Sequence, residues 1–199
     1  MKKNNTRNII SDLITPLKNR EIKSLKFKTI LSFIFLSCFL LSCSAKLLPP
    51  PEWTYEKEAV TIHIEADHNL NLYERESHPL HLCVYQLKNP NGFNQLSSNL
   101  SGLYELLDCL MFDASVAVVK QITVYPGETM DITLDRAEEA KYLAVAAGYF
   151  ELSKENITRL IDIPVKIKTS GFIRKTKKQV PAPLNFNLYL GQMQITAVE

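Results

Sequence analysis

Glycine is scarce in this chain, with six in 199 residues, and tryptophan occurs once. So little glycine excludes a collagen-like repeat, and four cysteines are too few for a disulfide-dense mini-scaffold. There is no glycine-rich loop to cradle phosphate and no Gly-x-Ser-x-Gly turn to present a nucleophilic serine. Ser, His and Asp are scattered without a catalytic pattern, so the reading is of a protein that is not an enzyme. Only one stretch is apolar enough to enter a bilayer, which excludes a polytopic membrane protein. Disorder throughout is excluded as well. With 46% apolar and 22% charged residues, the chain can bury enough surface to offset its ordering entropy.

Charge is distributed unevenly. Residues 1–28 hold Lys2, Lys3, Arg7, Lys18, Arg20, Lys23, Lys26 and Lys28 against only Asp12 and Glu21, and Ile30 to Ser42 then run without a charge. A basic head, a short apolar run and small residues form the layout of a secretion signal, and the run is too short for a transmembrane helix of ~20 residues. Leu40-Leu41-Ser42-Cys43 resembles the bacterial lipobox, in which Cys43 is diacylated on sulfur and the signal, here 1–42, is cut before it. An uncleaved signal anchor is the plain alternative, and Phe35-Leu36-Ser37-Cys38 is a poorer second lipobox. Without that segment, 157 residues remain, with 15 cations against 19 acids. The whole-chain charge of +2 therefore belongs to the head and points to no nucleic-acid partner. Each buried acyl methylene contributes ~0.8 kcal/mol, so several chains make a durable anchor. Ser44 stands where many enterobacterial inner-membrane lipoproteins carry Asp; the resemblance implies the inner leaflet of the outer membrane, facing the periplasm.

Residues 43–58 read as a lipidated tether, in which Leu47-Leu48-Pro49-Pro50-Pro51 favours an extended conformation. Trp53 follows, either as a first core contact or as an interfacial aromatic. From residue 59 to residue 199 the punctuation is that of a β-protein. Val60–Ala66 alternates with apolar residues at even positions, and Leu80–Leu87 is a second strand. Ala117–Tyr125 and Thr129–Leu134 flank a Pro126-Gly127 turn. The near-continuous apolar run Lys141–Phe150 predicts a central strand covered on both faces. Ile161–Ile167, Leu184–Leu190 and Gln192–Val198 bring the total to about eight strands, economically arranged as an all-β, two-sheet antiparallel sandwich. Residues 93–111 interrupt it, with Leu96, Leu100, Leu103, Leu107 and Leu110 at helical spacing, which predicts one or two short helices along its flank.

The order of motifs carries a family likeness. Asn69-Leu70-Asn71 opens a loop, Pro79 to Lys88 (PLHLCVYQLK) follows, then a Phe93-led helical insert, Pro126-Gly127-Glu128, and Ala146-Ala147-Gly148-Tyr149. Over residues 43–199 this resembles the outer-membrane lipoproteins of type VI secretion, the TssJ type. The likeness departs in places: the loop before Pro79 has no Gly, Cys83 stands where an Arg is usual, Tyr149-Phe150 replaces a Tyr-Arg pair, and no Trp lies near Arg159. The resemblance implies a transthyretin-like fold, no catalysis, and a partner in the periplasmic C-terminal part of a TssM-type inner-membrane subunit. It assigns the grip to the loop between the first two strands, here Asp67–Pro79. Asp67, Asn69, Asn71, Glu74, Arg75 and Glu76 would give polar contacts, while Leu70, Leu72 and Tyr73 could enter pockets. The alternative is a solvated connector whose apolar residues fold back on the sandwich.

Other features are weaker. His63, His68, His78 and His81 lack the spacing of a zinc site, and solvated or edge positions account for all four, so no metal and no cofactor beyond the acyl chains on Cys43 is expected. Cys83 and Cys109 are either a bridge stapling the insert to the sheet or two small buried thiols. Arg174-Lys175-Thr176-Lys177-Lys178 reads as a solvated hairpin tip, with anionic lipid or an acidic partner as the other reading. A rival function is a periplasmic lipoprotein binding a small molecule or peptide in a sandwich cleft, against the first reading, in which no small-molecule substrate is expected.

Overall fold

The computed structural model describes residues 48–152, 156–172 and 175–198. The signal segment 1–42, the lipobox Cys43 and the first residues of the tether lie outside the described residues. The described residues form ten strands. One sheet runs in the order β10 (Ile195–Val198), β9 (Leu184–Leu190), β1 (Glu56–Ala66), β4 (Thr129–Arg136). The other runs β3 (Val116–Val124), β2 (Leu80–Leu87), β5 (Tyr142–Gly148), β6 (Thr158–Asp162). The sandwich expected from the alternating pattern is thus the architecture observed, and in β1 it is Val60, Ile62, Ile64 and Ala66 that turn inward. One pairing is not antiparallel: β1 lies parallel to β9, with Ile62 beside Phe186 and Ile64 beside Leu188. Strand direction leaves no trace in a period-two pattern, so only assembly of the sheet reveals it.

Strands β2 and β5 form the centre of the second sheet. All of Leu82–Leu87 and Leu143–Ala147 is buried, because the first sheet covers one face and two helices cover the other. These helices are α1 (Asn91–Ser97) and α2 (Leu100–Leu107). Asn99 caps α2, its side chain accepting from the Gly102 amide at 2.9 Å. A Cβ on Gly102 would come within 2.2 Å of the Leu96 carbonyl, so only glycine lets the two helices turn this tightly. The face that packs is Leu103 and Leu106, with Phe93 from α1; Leu100 and Leu110, predicted for that stripe, are exposed because the helix ends and its partner strands leave them uncovered. The Tyr85 hydroxyl donates to the Leu106 carbonyl, and burial holds that hydroxyl above the ordinary phenol range.

The run Ile161–Ile167, predicted as one strand, is two. Pro164 has no amide to offer a ladder, so β6 stops at Asp162 and the chain leaves for a separate hairpin of β7 (Val165–Ser170) and β8 (Thr176–Pro181). The basic residues read as a hairpin tip lie partly in β8 itself. Where the tether enters the sandwich, Trp53 is packed against the core, and its carbonyl accepts from the Glu139 amide at 2.7 Å. The buried Arg136 lies 5.8 Å from its ring centroid, donates to Glu56 at 2.9 Å and to the Thr54 carbonyl at 2.8 Å, and so fixes where the tether joins the sandwich.

Candidate functional site

The loop between β1 and β2 is pinned at its root by three backbone ladders. The Asp67 amide donates to the Leu190 carbonyl at 2.8 Å, Leu72 to Gln192 at 2.9 Å, and Gly127 of the β3–β4 turn to Asp67 at 3.0 Å. Gly127 has φ of 72°, and a Cβ there would lie 2.5 Å from Nδ1 of His68, so the turn and the loop can meet only through glycine. Within the loop, Leu70 is fully buried and its neighbour Asn71 nearly so. The Asn71 side chain bridges two elements: Nδ2 donates to the Pro79 carbonyl at 3.1 Å, and Oδ1 accepts from the Phe150 amide at 2.8 Å.

Beyond Asn71 the chain turns outward. Tyr73 and Glu76 exchange two backbone hydrogen bonds at 2.9 Å, closing a miniature hairpin whose central residues are Glu74 and Arg75. Both sit in the left-handed region, with φ of 51° and 69°. That geometry normally selects Asn-Gly, and a residue with a Cβ costs roughly 1–2 kcal/mol there. Strain of this kind persists where surrounding contacts hold it and concentrates at functional positions. Here it projects a carboxylate and a guanidinium from the tip.

Beside the tip lies an aromatic platform. Tyr73 stacks on Phe150 with ring centroids 4.6 Å apart and planes 17° from parallel, and His78 meets Phe150 edge-on at 4.9 Å. Tyr73 is 45% and Phe150 54% exposed, so the stack presents apolar surface to solvent. Met193, in the β9–β10 turn beside Asp67 and Glu151, is also exposed.

The predicted loop residues therefore divide. Tyr73, Glu74, Arg75 and Glu76 share the outward face, and Asp67 and Asn69 stand exposed at the root, with the Asn69 amide donating to the Asp67 carboxylate at 2.7 Å. Leu72 is half-buried. Leu70, expected to enter a partner's pocket, fills this chain's own core instead, and Asn71, expected as a polar contact, is spent on internal hydrogen bonds. Both corrections have one cause: the loop needs an apolar plug and a buried amide to hold its shape. Phe150 was missed. Its signal was the Tyr149-Phe150 pair at the end of an apolar strand, where alternation sends Tyr149 inward and Phe150 out. Burial raises the Tyr149 hydroxyl above the ordinary phenol range.

Cys83 and Cys109 are joined, with Cα atoms 5.3 Å apart, tying the end of α2 to β2. Nε2 of His81 lies 3.2 Å from the Cys109 sulfur and 3.5 Å from that of Cys83. These three offer metal-type ligands in one place, but bonded sulfurs are not thiolates and the imidazole is 3.1 Å from the Leu107 carbonyl. Of the other histidines, His63 contacts Asp131 at 2.5 Å, His68 abuts Gly127, and His78 belongs to the platform. The space between the sheets is filled by side chains such as Ile62, Ile64, Leu82 and Leu188. Grooves beside Tyr55 and Leu134 and at Asp67 against Gln192 open on the surface. No helix among the described residues is long and apolar enough to cross a membrane.

Residues 58–189 match the model of a family described as type VI secretion lipoprotein (VasD, EvfM, TssJ). Among solved structures, the chain is similar to the type VI secretion lipoprotein TssJ1 from Pseudomonas aeruginosa, at 22% identity and a TM-score of 0.50, over 75% of this chain and 96% of that one. Lip of Serratia marcescens, a membrane-bound component of the type VI secretion system, is similar at 16% identity and a TM-score of 0.50, over 70% and 94% of the two chains. A chain of the structure of the TssM C-terminal domain from EAEC matches at 15% identity and a TM-score of 0.50, over 69% and 94%. At these identities the likeness concerns the fold. No curated protein matches the sequence.

Proposed function

From the premise that this chain belongs to the type VI secretion lipoprotein family, we propose that it is a structural clamp, anchored in the outer membrane by acyl chains on Cys43 and holding the periplasmic C-terminal domain of a TssM-type inner-membrane subunit. The observation that carries the reading is the Tyr73–Phe150 stack beside the strained Glu74-Arg75 tip. An exposed aromatic pair is expensive to leave in water, and rigid aromatic and arginine side chains dominate interface energies when a partner covers them. The loop is held by Asn71, Leu70 and the β3–β4 and β9–β10 turns before any partner arrives, which lowers the ordering cost of binding.

Point substitutions test this better than loop deletion, which would remove Leu70 from the core. In a pull-down of the TssM-type C-terminal domain, Tyr73→Ala/Phe150→Ala should weaken capture about thirtyfold or more, as expected for paired anchor residues. Its thermal midpoint should stay close to that of the parent. Undiminished capture by a folded variant would overturn the assignment of the grip to this platform.

A further inference from the structure

Among the described residues, the β7–β8 hairpin has no packing role that explains its composition. Every residue of β7 is exposed, as is the first half of β8, and Phe172 at the tip is 100% exposed. From Val165 to Pro181 the sequence holds six cations and no acid. Register makes this costly: Lys168 stands directly opposite Lys178, and Lys166 projects to the same face two residues earlier. Like charges directly opposed across a strand pair are destabilising, and a two-stranded hairpin without a covered face has little stability to lose. Folding alone therefore does not account for these lysines.

The position of the hairpin says which surface. Lys166, Lys168 and Lys178 line a groove with Pro49 and Pro50 of the tether. Glu52 and Glu56 are the carboxylates of that groove, and Glu56 is taken up by Arg136 at 2.9 Å. Pro49 lies six positions after Cys43, a leash of at most about 20 Å. A six-residue strand spans about the same distance. Whatever bilayer holds acyl chains at Cys43 is thus within reach of the lysines.

We propose that the β7–β8 hairpin is a second membrane contact, laying Lys166, Lys168 and Lys178 on the anionic phospholipid headgroups of the bilayer that holds the anchor, with Phe172 entering the interface. Each cation near such a surface favours contact, and an aromatic tip adds apolar burial at headgroup depth. The contact orients the domain on its leash. This inference rests on the anchoring of Cys43 proposed above, and its test separates the two.

The full acylated protein is reconstituted on phosphatidylethanolamine vesicles with phosphatidylglycerol, or on phosphatidylcholine alone, each with brominated acyl chains as quencher. A Phe172→Trp variant reports the tip, and the parent gives the Trp53 background. Flotation with the vesicles reports the anchor and is lost in Cys43→Ser. The expected result is lipid quenching above background on the phosphatidylglycerol vesicles, reduced by high salt and abolished by adding Lys166→Glu/Lys168→Glu/Lys178→Glu, with flotation unchanged. Failure to float overturns the anchor. Flotation with the tip quenched only by aqueous iodide overturns the hairpin contact and leaves the anchor standing. Charge reversal that abolishes capture of the TssM-type domain without touching lipid quenching assigns the basic face to an acidic protein partner and overturns the proposal.

Discussion

Strands β2 and β5 and strands β7 and β8 are built from the same backbone pairing and live in opposite environments. Leu82–Leu87 and Leu143–Ala147 are covered on both faces, by a sheet and by a helix pair, and their side chains are almost all apolar. The hairpin is exposed along all of β7 and the first half of β8, where Lys166, Lys168, Lys177 and Lys178 stand among Ile167 and Thr169. Burial explains the first composition. Nothing among the described residues explains the second, and the loop carrying Tyr73 lies between the extremes: a buried plug at Leu70 and an exposed aromatic three residues on, stacked against Phe150. Residues that the core does not demand are where interactions outside the chain become visible.

The contrast can be broken most severely from the covered side. Removing the bond between Cys83 and Cys109 by Cys83→Ala/Cys109→Ala releases a loop of sequence separation 26, and should cost about 3–4 kcal/mol in denaturant unfolding. A loss below about 1 kcal/mol would show that packing of Phe93, Leu103 and Leu106 holds the helices without it. A smaller effect of opposite sign is expected in the loop. Arg75→Gly relieves a left-handed residue bearing a Cβ, partly offset by the greater freedom of glycine in the unfolded chain, and should raise stability by about 0.5–1 kcal/mol. The same variant should weaken capture of the TssM-type domain, so stability and binding move in opposite directions. Smallest of all is the response of the hairpin. The triple charge reversal Lys166→Glu/Lys168→Glu/Lys178→Glu should change unfolding free energy by no more than about 0.5 kcal/mol, because no buried group is touched. A large loss would mean that the lysines serve the fold after all.

Much of this architecture is legible in residue order. The period of two at Val60, Ile62 and Ile64 and the apolar run before Gly148 report burial local to one element and reappear as such, while the leucine spacing after Phe93 reports the helices but, of its five leucines, only Leu103 is fully buried. Misreadings fall where an outcome depends on a distant neighbour. Leu70 looks like any exposed loop leucine until the core beneath it is built. Phe150 is one aromatic after a strand until Tyr73, 77 positions earlier, stacks on it. Pro164 alone marks the break in the sixth predicted strand, Ile161–Ile167, since a missing amide is a local property.

What the amino-acid order decided by itself is most of the strands, the place of the helical insert and the inward face of strands such as β1, because periodicity and turn chemistry act over a few residues at a time. What only tertiary structure decided is the parallel pairing of β1 with β9, the joining of Cys83 to Cys109, and the meeting of Tyr73 with Phe150 and of the hairpin lysines with the tether. Each of these brings together residues far apart along the chain, and the free energy that selects them is gained only when the whole sandwich closes.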